Sequence, residues 1–98
     1  MPQSLPNILV HIVFSTKKRD ACLNPEICTE LYPYIAQTLN TKNTHPYRIG
    51  GTLDHIHILC RLAKTASIST LIEEIKTSSS KWIKTKKGFS LPDFHWQL

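Results

Sequence analysis

Glycine, cysteine and acidic residues are all scarce in this sequence, and each scarcity removes a class of protein. Three glycines and six prolines among 98 residues, with no repeat and no low-complexity tract, exclude a disordered or fibrous chain. Cys22, Cys28 and Cys60 are odd in number and match neither zinc-knuckle nor CxxC spacing. A disulfide-stapled secreted scaffold is therefore not expected, and the thiols should be free. The longest hydrophobic run, Ile8 to Phe14 with only His11 inside it, is far shorter than the roughly 18 apolar residues of a membrane helix, and no charged leader precedes it. The expectation is one small cytoplasmic domain over residues 1–98 with no membrane partner.

Seven Asp and Glu stand against twelve Lys and Arg, a net charge of +5. The cations are clustered, Lys17, Lys18 and Arg19 in one group and Lys76, Lys81, Lys84, Lys86 and Lys87 in another. Two separated basic clusters on a small domain suit a polyanion such as nucleic acid. A solvated basic surface would have the same composition, so charge alone does not choose.

Residues 7–16 are rich in β-branched and apolar types, with Ile8, Val10, Ile12 and Phe14 on one face and Leu9, His11, Val13 and Ser15 on the other. Two largely apolar faces predict a central strand covered on both sides, with His11 a hydrogen-bonded core residue. Asn24-Pro25-Glu26 has the chemistry of a helix start: a capping side chain, a proline whose missing N–H costs nothing there, and an acid at the positive end of the dipole. Ile27, Leu31, Tyr34, Ile35 and Leu39 then recur at helical spacing. Pro33 predicts a bend within this one helix. Two strands follow, over 46–51 and 53–62, as a hairpin. Ser67 to Lys84 places Ile68, Leu71, Ile72, Ile75, Trp82 and Ile83 on one helical face, with Lys76, Ser80 and Lys84 stacked on another. Residues 93–97 supply a short last strand. The order β-α-β-β-α-β is that of an α+β, ferredoxin-like antiparallel sheet with two helices on one face.

His55-Ile56-His57 carries the most chemistry. Residues two apart on a strand project to the same face, so both imidazoles can turn toward one ion while Ile56, Ile58 and Cys60 face the core. Asp54 stands just ahead, able to support a ligand histidine. Two donors are too few for a structural zinc site and suit an open site completed by water and substrate oxygens. A histidine-triad hydrolase needs a further histidine where Leu59 stands. The tandem-HxT phosphodiesterases need Ser or Thr two residues after a second histidine, and neither His11 nor His45 has one.

Gly50-Gly-Thr-Leu-Asp-His-Ile-His-Ile-Leu59, then Ser67 to Lys76 with Ser79-Ser80-Lys81-Trp82-Ile83, then Phe94-His-Trp-Gln97, resembles the small HUH single-tyrosine transposases of the insertion sequence 200 type. The opening His11-Ile-Val-Phe-Ser-Thr-Lys17 with Arg19 is similar to the first strand of that family. The resemblance implies a homodimer that binds single-stranded DNA folded into hairpins. It implies that His55 and His57 hold a divalent ion, magnesium or manganese. It also implies a tyrosine on a late helix that attacks the scissile phosphate, leaving a 5′-phosphotyrosine and a free 3′-OH, with a glutamine one turn further on. The sequence given ends at Leu98, just after Trp96-Gln97, and Tyr32, Tyr34 and Tyr47 lie in the first helix and second strand. The nucleophilic tyrosine is thus expected beyond Leu98, and strand cleavage by these residues alone is not. Lys17, Lys18, Arg19, Arg48, Lys76, Lys81 and Lys84 are the expected phosphate contacts, and Phe94, His95 and Trp96 candidates to stack on bases, with core packing equally open for Trp96. From a different class comes a second reading, a non-catalytic single-strand-binding module on a ferredoxin-like sheet. That module needs aromatics on its exposed central strands, where this sequence offers Phe14 and histidines.

Overall fold

The computed structural model describes residues 8–62, 67–88 and 91–97. Its elements are β1 (Ile8–Ser15), a 3-10 turn (Lys17–Arg19), α1 (Pro25–Thr41), β2 (His45–Gly51), β3 (His55–Leu62) and α2 (Ile68–Thr85).

Local chemistry sets the helix boundaries. At the start of α1 the Asn24 side chain accepts from the Ile27 N–H at 2.9 Å, with Pro25 in the first turn. The helix continues through Pro33 as one element, with that ring on its exposed side, where water can reach the Thr29 carbonyl that the missing N–H leaves free. It ends as Asn43 takes a left-handed φ of 55°, and the Lys42 and Thr44 N–H groups close back on the Leu39 carbonyl. Ser67 caps α2 by accepting from the Thr70 N–H. The buried stripes are Ile27, Leu31, Ile35 and Leu39 on α1 and Leu71, Ile75, Ser79 and Ile83 on α2, each at four-residue spacing.

The three strands form an antiparallel sheet in the order β1-β3-β2. The C-terminal segment pairs with the other side of β1 at one bridge, Thr16 with Trp96. The predicted last strand is thus reduced to a single bridge, placed where a ferredoxin-like sheet has its fourth strand. Ile12 and Phe14 of β1 and Ile56, Ile58 and Cys60 of β3 meet the helices in one core. The opposite sheet face is open, and this corrects the sequence expectation for β1. Leu9 and Val13 are 57% and 58% exposed, His11 is exposed rather than buried, and the central strand of the three is β3. Phe94 and Trp96, expected as candidates to stack on bases, are instead core residues at 4% and 6% exposure; His95 is exposed. Trp96 donates its indole N–H to Ser79 Oγ at 2.9 Å. All three cysteines are free thiols.

Candidate metal and phosphate site

The pleat of β3 sends Ile56, Ile58 and Cys60 into the core and His55, His57 and Leu59 to the open face. Register then places the neighbours: Ser15 lies across from His55, Val13 and Gly50 flank His57, and His11 and Arg48 flank Leu59. The two imidazoles stand with ring centroids 6.4 Å apart and planes at 35°. Metal–nitrogen bonds of ~2.1 Å put two imidazoles that share an ion at about this separation or closer, so the pair stands near the outer limit for sharing one ion. Among the described residues no group of three or more His, Cys, Asp or Glu gathers into a metal cage. An ion held by His55 and His57 would therefore sit in an open site rather than a closed structural one.

His57 is held by packing. A Cβ on Gly50 would come within 3.3 Å of its Cε1 and 3.4 Å of its Nε2, so the ring occupies the space that glycine leaves, with His11 edge-on at 5.5 Å. His55 is held by hydrogen bonds: its Nδ1 lies 2.8 Å from Thr52 Oγ1 and 3.0 Å from Asp54 Oδ1. The His55 hydrogen bond, aided by the Thr52 hydroxyl and the Arg19 charge against some desolvation, holds the Asp54 carboxyl below the usual carboxylate range. The Asp54 group is ionised at neutral pH.

The basic turn joins this end of the sheet. Lys18 and Arg19 both adopt a φ of 57°, unusual for side chains of their size, and the turn is tied down from several sides. Thr16 is buried and bonds Asp54 and Asp20 carbonyls, the Lys17 N–H donates to the His95 carbonyl, and the Lys18 N–H donates to Gln97 Oε1. Arg19 reaches Ser15 Oγ at 3.0 Å and Asp54 Oδ2 at 3.9 Å. Lys76 of α2 donates to the Gln97 carbonyl at 2.9 Å and lies over the Phe14 ring. Lys76 and the Lys17–Arg19 turn, far apart in sequence, thus both bond to Gln97.

The structure gathers His55, His57, Lys17, Lys18 and Arg19 at one sheet end, with Arg48 one row along the open face. Lys81 and Lys84 stand one to two turns beyond Lys76 on α2, and Lys81 lines a separate cleft with Tyr34 and Trp82. Sequence reasoning missed Thr52, Gly50 and Gln97, whose parts depend on partners across the sheet; the Gly50-Gly51 pair before the histidines was the available signal. The three tyrosines lie in α1 and β2, each with its own surroundings. Tyr34 stacks on Trp82 at 5.5 Å, and Tyr47 packs edge-on against His45. Tyr32 lines a mainly apolar cleft of about 480 Å³ with Thr52, Leu53 and Cys28, and burial and Cys28 push its hydroxyl further above the ordinary tyrosine range. That is the wrong direction for attack on a phosphate.

The model of the family described as IS200-like transposases matches residues 4–97. The crystal structure of a Deinococcus radiodurans protein described as a "putative transposase" matches with a TM-score of 0.76 at 16% identity, covering 83% of this chain and 62% of that one. At that identity the likeness establishes the fold, and this chain spans less than two thirds of the length of that protein. No curated protein matches the chain. A family model that runs over nearly every residue, on a fold shared with that structure, leads to one conclusion: the chain belongs to the IS200-like transposase family.

Proposed function

We propose that this chain is a single-domain, DNA-binding transposase of the HUH single-tyrosine kind, acting in the cytoplasm on single-stranded DNA folded into hairpins during DNA transposition. The observation that supports it most is the convergence of His55 and His57 with the Lys17–Arg19 turn at one end of an open sheet. Phosphate contacts fall to Lys17, Lys18, Arg19 and Arg48, with Lys76, Lys81 and Lys84 extending the basic surface along α2. His55 and His57 are the ligands of a divalent ion, magnesium or manganese. Such an ion neutralises charge on the non-bridging oxygens of a phosphodiester. The lysine turn holds the strand and the open sheet gives it room. The exposed Leu9 and Leu59, toward the far end of the open face from His55, support a homodimer in which a second copy covers that end and leaves the histidine end to the strand.

The test is binding of fluorescent hairpin DNA by anisotropy, with and without manganese. Tighter binding in manganese that disappears in His55→Ala/His57→Ala supports the proposal. Binding that ignores both the ion and the substitutions leaves a non-catalytic single-strand-binding module on the same sheet.

A further inference from the structure

His55 and His57 sit two residues apart on one strand, yet different forces hold them. His57 rests on Gly50 with His11 at its edge. His55 belongs to a triangle: Nδ1 to Thr52 Oγ1 at 2.8 Å, Nδ1 to Asp54 Oδ1 at 3.0 Å, and Thr52 Oγ1 to the same carboxylate oxygen at 3.1 Å.

A neutral imidazole carries one proton, on either nitrogen, and the group its other nitrogen meets decides which. If Nδ1 bore the lone pair, it would face an ionised carboxylate oxygen at 3.0 Å, two acceptors with no proton between them. With the proton on Nδ1, every side of the triangle has a donor. The ring N–H points between Asp54 and the Thr52 oxygen, and the Thr52 hydroxyl donates to Asp54. The Nε2 lone pair is then free. The triangle is anchored in turn: the Asp54 carbonyl accepts from the Thr16 N–H at 2.8 Å, Arg19 faces the second carboxylate oxygen, and the Thr52 N–H donates to the His55 carbonyl at 2.9 Å.

We infer that Thr52 and Asp54 are positioning residues that lock His55 in its Nδ1–H tautomer, making Nε2 its donor toward a divalent ion, while His57 relies on packing. The donor assignment rests on the metal reading above; the tautomer lock does not. Carboxylate partners of this kind raise ligand basicity as well as fixing orientation.

The experiment uses the full chain, 15N-labelled and metal-free, at a pH above the ordinary imidazole range, with long-range 1H–15N spectra of the histidine rings. The expected spectrum has His55 with a protonated Nδ1 and a bare Nε2. Asp54→Ala should lose that pattern for His55 and leave His57 unchanged, and Asp54→Asn, which keeps a carbonyl oxygen in place, should restore it. Manganese affinity, read by water-proton relaxation, should fall about 10–100-fold in Asp54→Ala and recover in Asp54→Asn. Should Asp54→Ala not fold, the near-isosteric Thr52→Val gives the same readout. A wild-type His55 with its proton on Nε2, or a tautomer indifferent to Asp54 and Thr52, overturns the inference. A locked tautomer in a protein that binds no manganese upholds the lock and overturns the ion.

Discussion

Two adjacent glycines show how different the demands on neighbouring residues are. Gly50 lies against a side chain and Gly51 against backbone. A Cβ on Gly50 meets the His57 ring at 3.3 Å, a contact the imidazole relieves by moving a few tenths of an ångström. A Cβ on Gly51 would strike the His55 carbonyl oxygen and come within 2.8 Å of Ile56 Cα, and neither can yield without opening the β2–β3 pairing. Gly51→Ala should therefore cost about 2 kcal/mol or more in urea unfolding, and Gly50→Ala about 0.5 kcal/mol or less. Equal stability of the two variants would show that the hairpin absorbs the clash. Gly50→Ala should still displace the His57 ring signals, because that ring is what has to move.

At the scale of elements, α2 shows what a helical stripe reveals and what it hides. Leu71, Ile75 and Ile83 fall where the spacing predicts, and the fully buried fourth position is Ser79. Its hydroxyl accepts from the Trp96 indole and donates back to the Ile75 carbonyl, so a polar residue satisfies a core position through a partner 17 residues away. Ser79→Ala should leave the indole N–H buried and unpaired, a loss of about 1–3 kcal/mol. Trp96→Phe removes the donor, so the double substitution should cost clearly less than the two single costs together. Strict additivity in that cycle would mean that the bond contributes nothing. The same contrast marks what the sequence could reveal. Alternation in β3 sorted the core isoleucines from the outward histidines, and the Asn24 cap and the α1 stripe set that helix, because these signals are local. Which strand lies centrally depends on pairing partners, so β1, apolar on both faces, read as covered although one face is open. Phe94 and Trp96 belong to no periodic run, so nothing local could choose for Trp96 between stacking on bases and packing in the core. Lys76 sat on a regular lysine row, yet its ammonium is taken by the Gln97 carbonyl.

For the whole molecule, the acidic protons of half-buried Cys22 and Tyr32 and of buried Cys60 should shape the response to alkali. Burial, with Asp20 assisting, raises the Cys22 thiol above its usual 9.0; burial alone raises Cys60; burial and Cys28 raise the Tyr32 hydroxyl above its usual 10.0. A raised folded-state pKa means that the folded protein holds the proton more tightly than the unfolded chain. The stabilisation is then complete below the unfolded values near 9.0 and 10.0 and declines as pH climbs past them. Asp54 works in the opposite sense: its lowered pKa gives stability above the usual 3.8 that is lost as pH falls. The excess of positive charge complicates the alkaline limb, because alkali lowers it, which relieves the self-repulsion of a +5 chain and favours the folded state. A variant with the same lysines separates the two effects. In reducing buffer the Tm of the wild type should hold to about pH 8 and fall above about pH 9, while Cys22→Ser/Cys60→Ala, starting lower because of its core cavity, should fall less steeply over that range. Parallel curves would mean that the thiols do not govern the alkaline transition, and Tyr32→Phe would then be the variant whose curve should flatten.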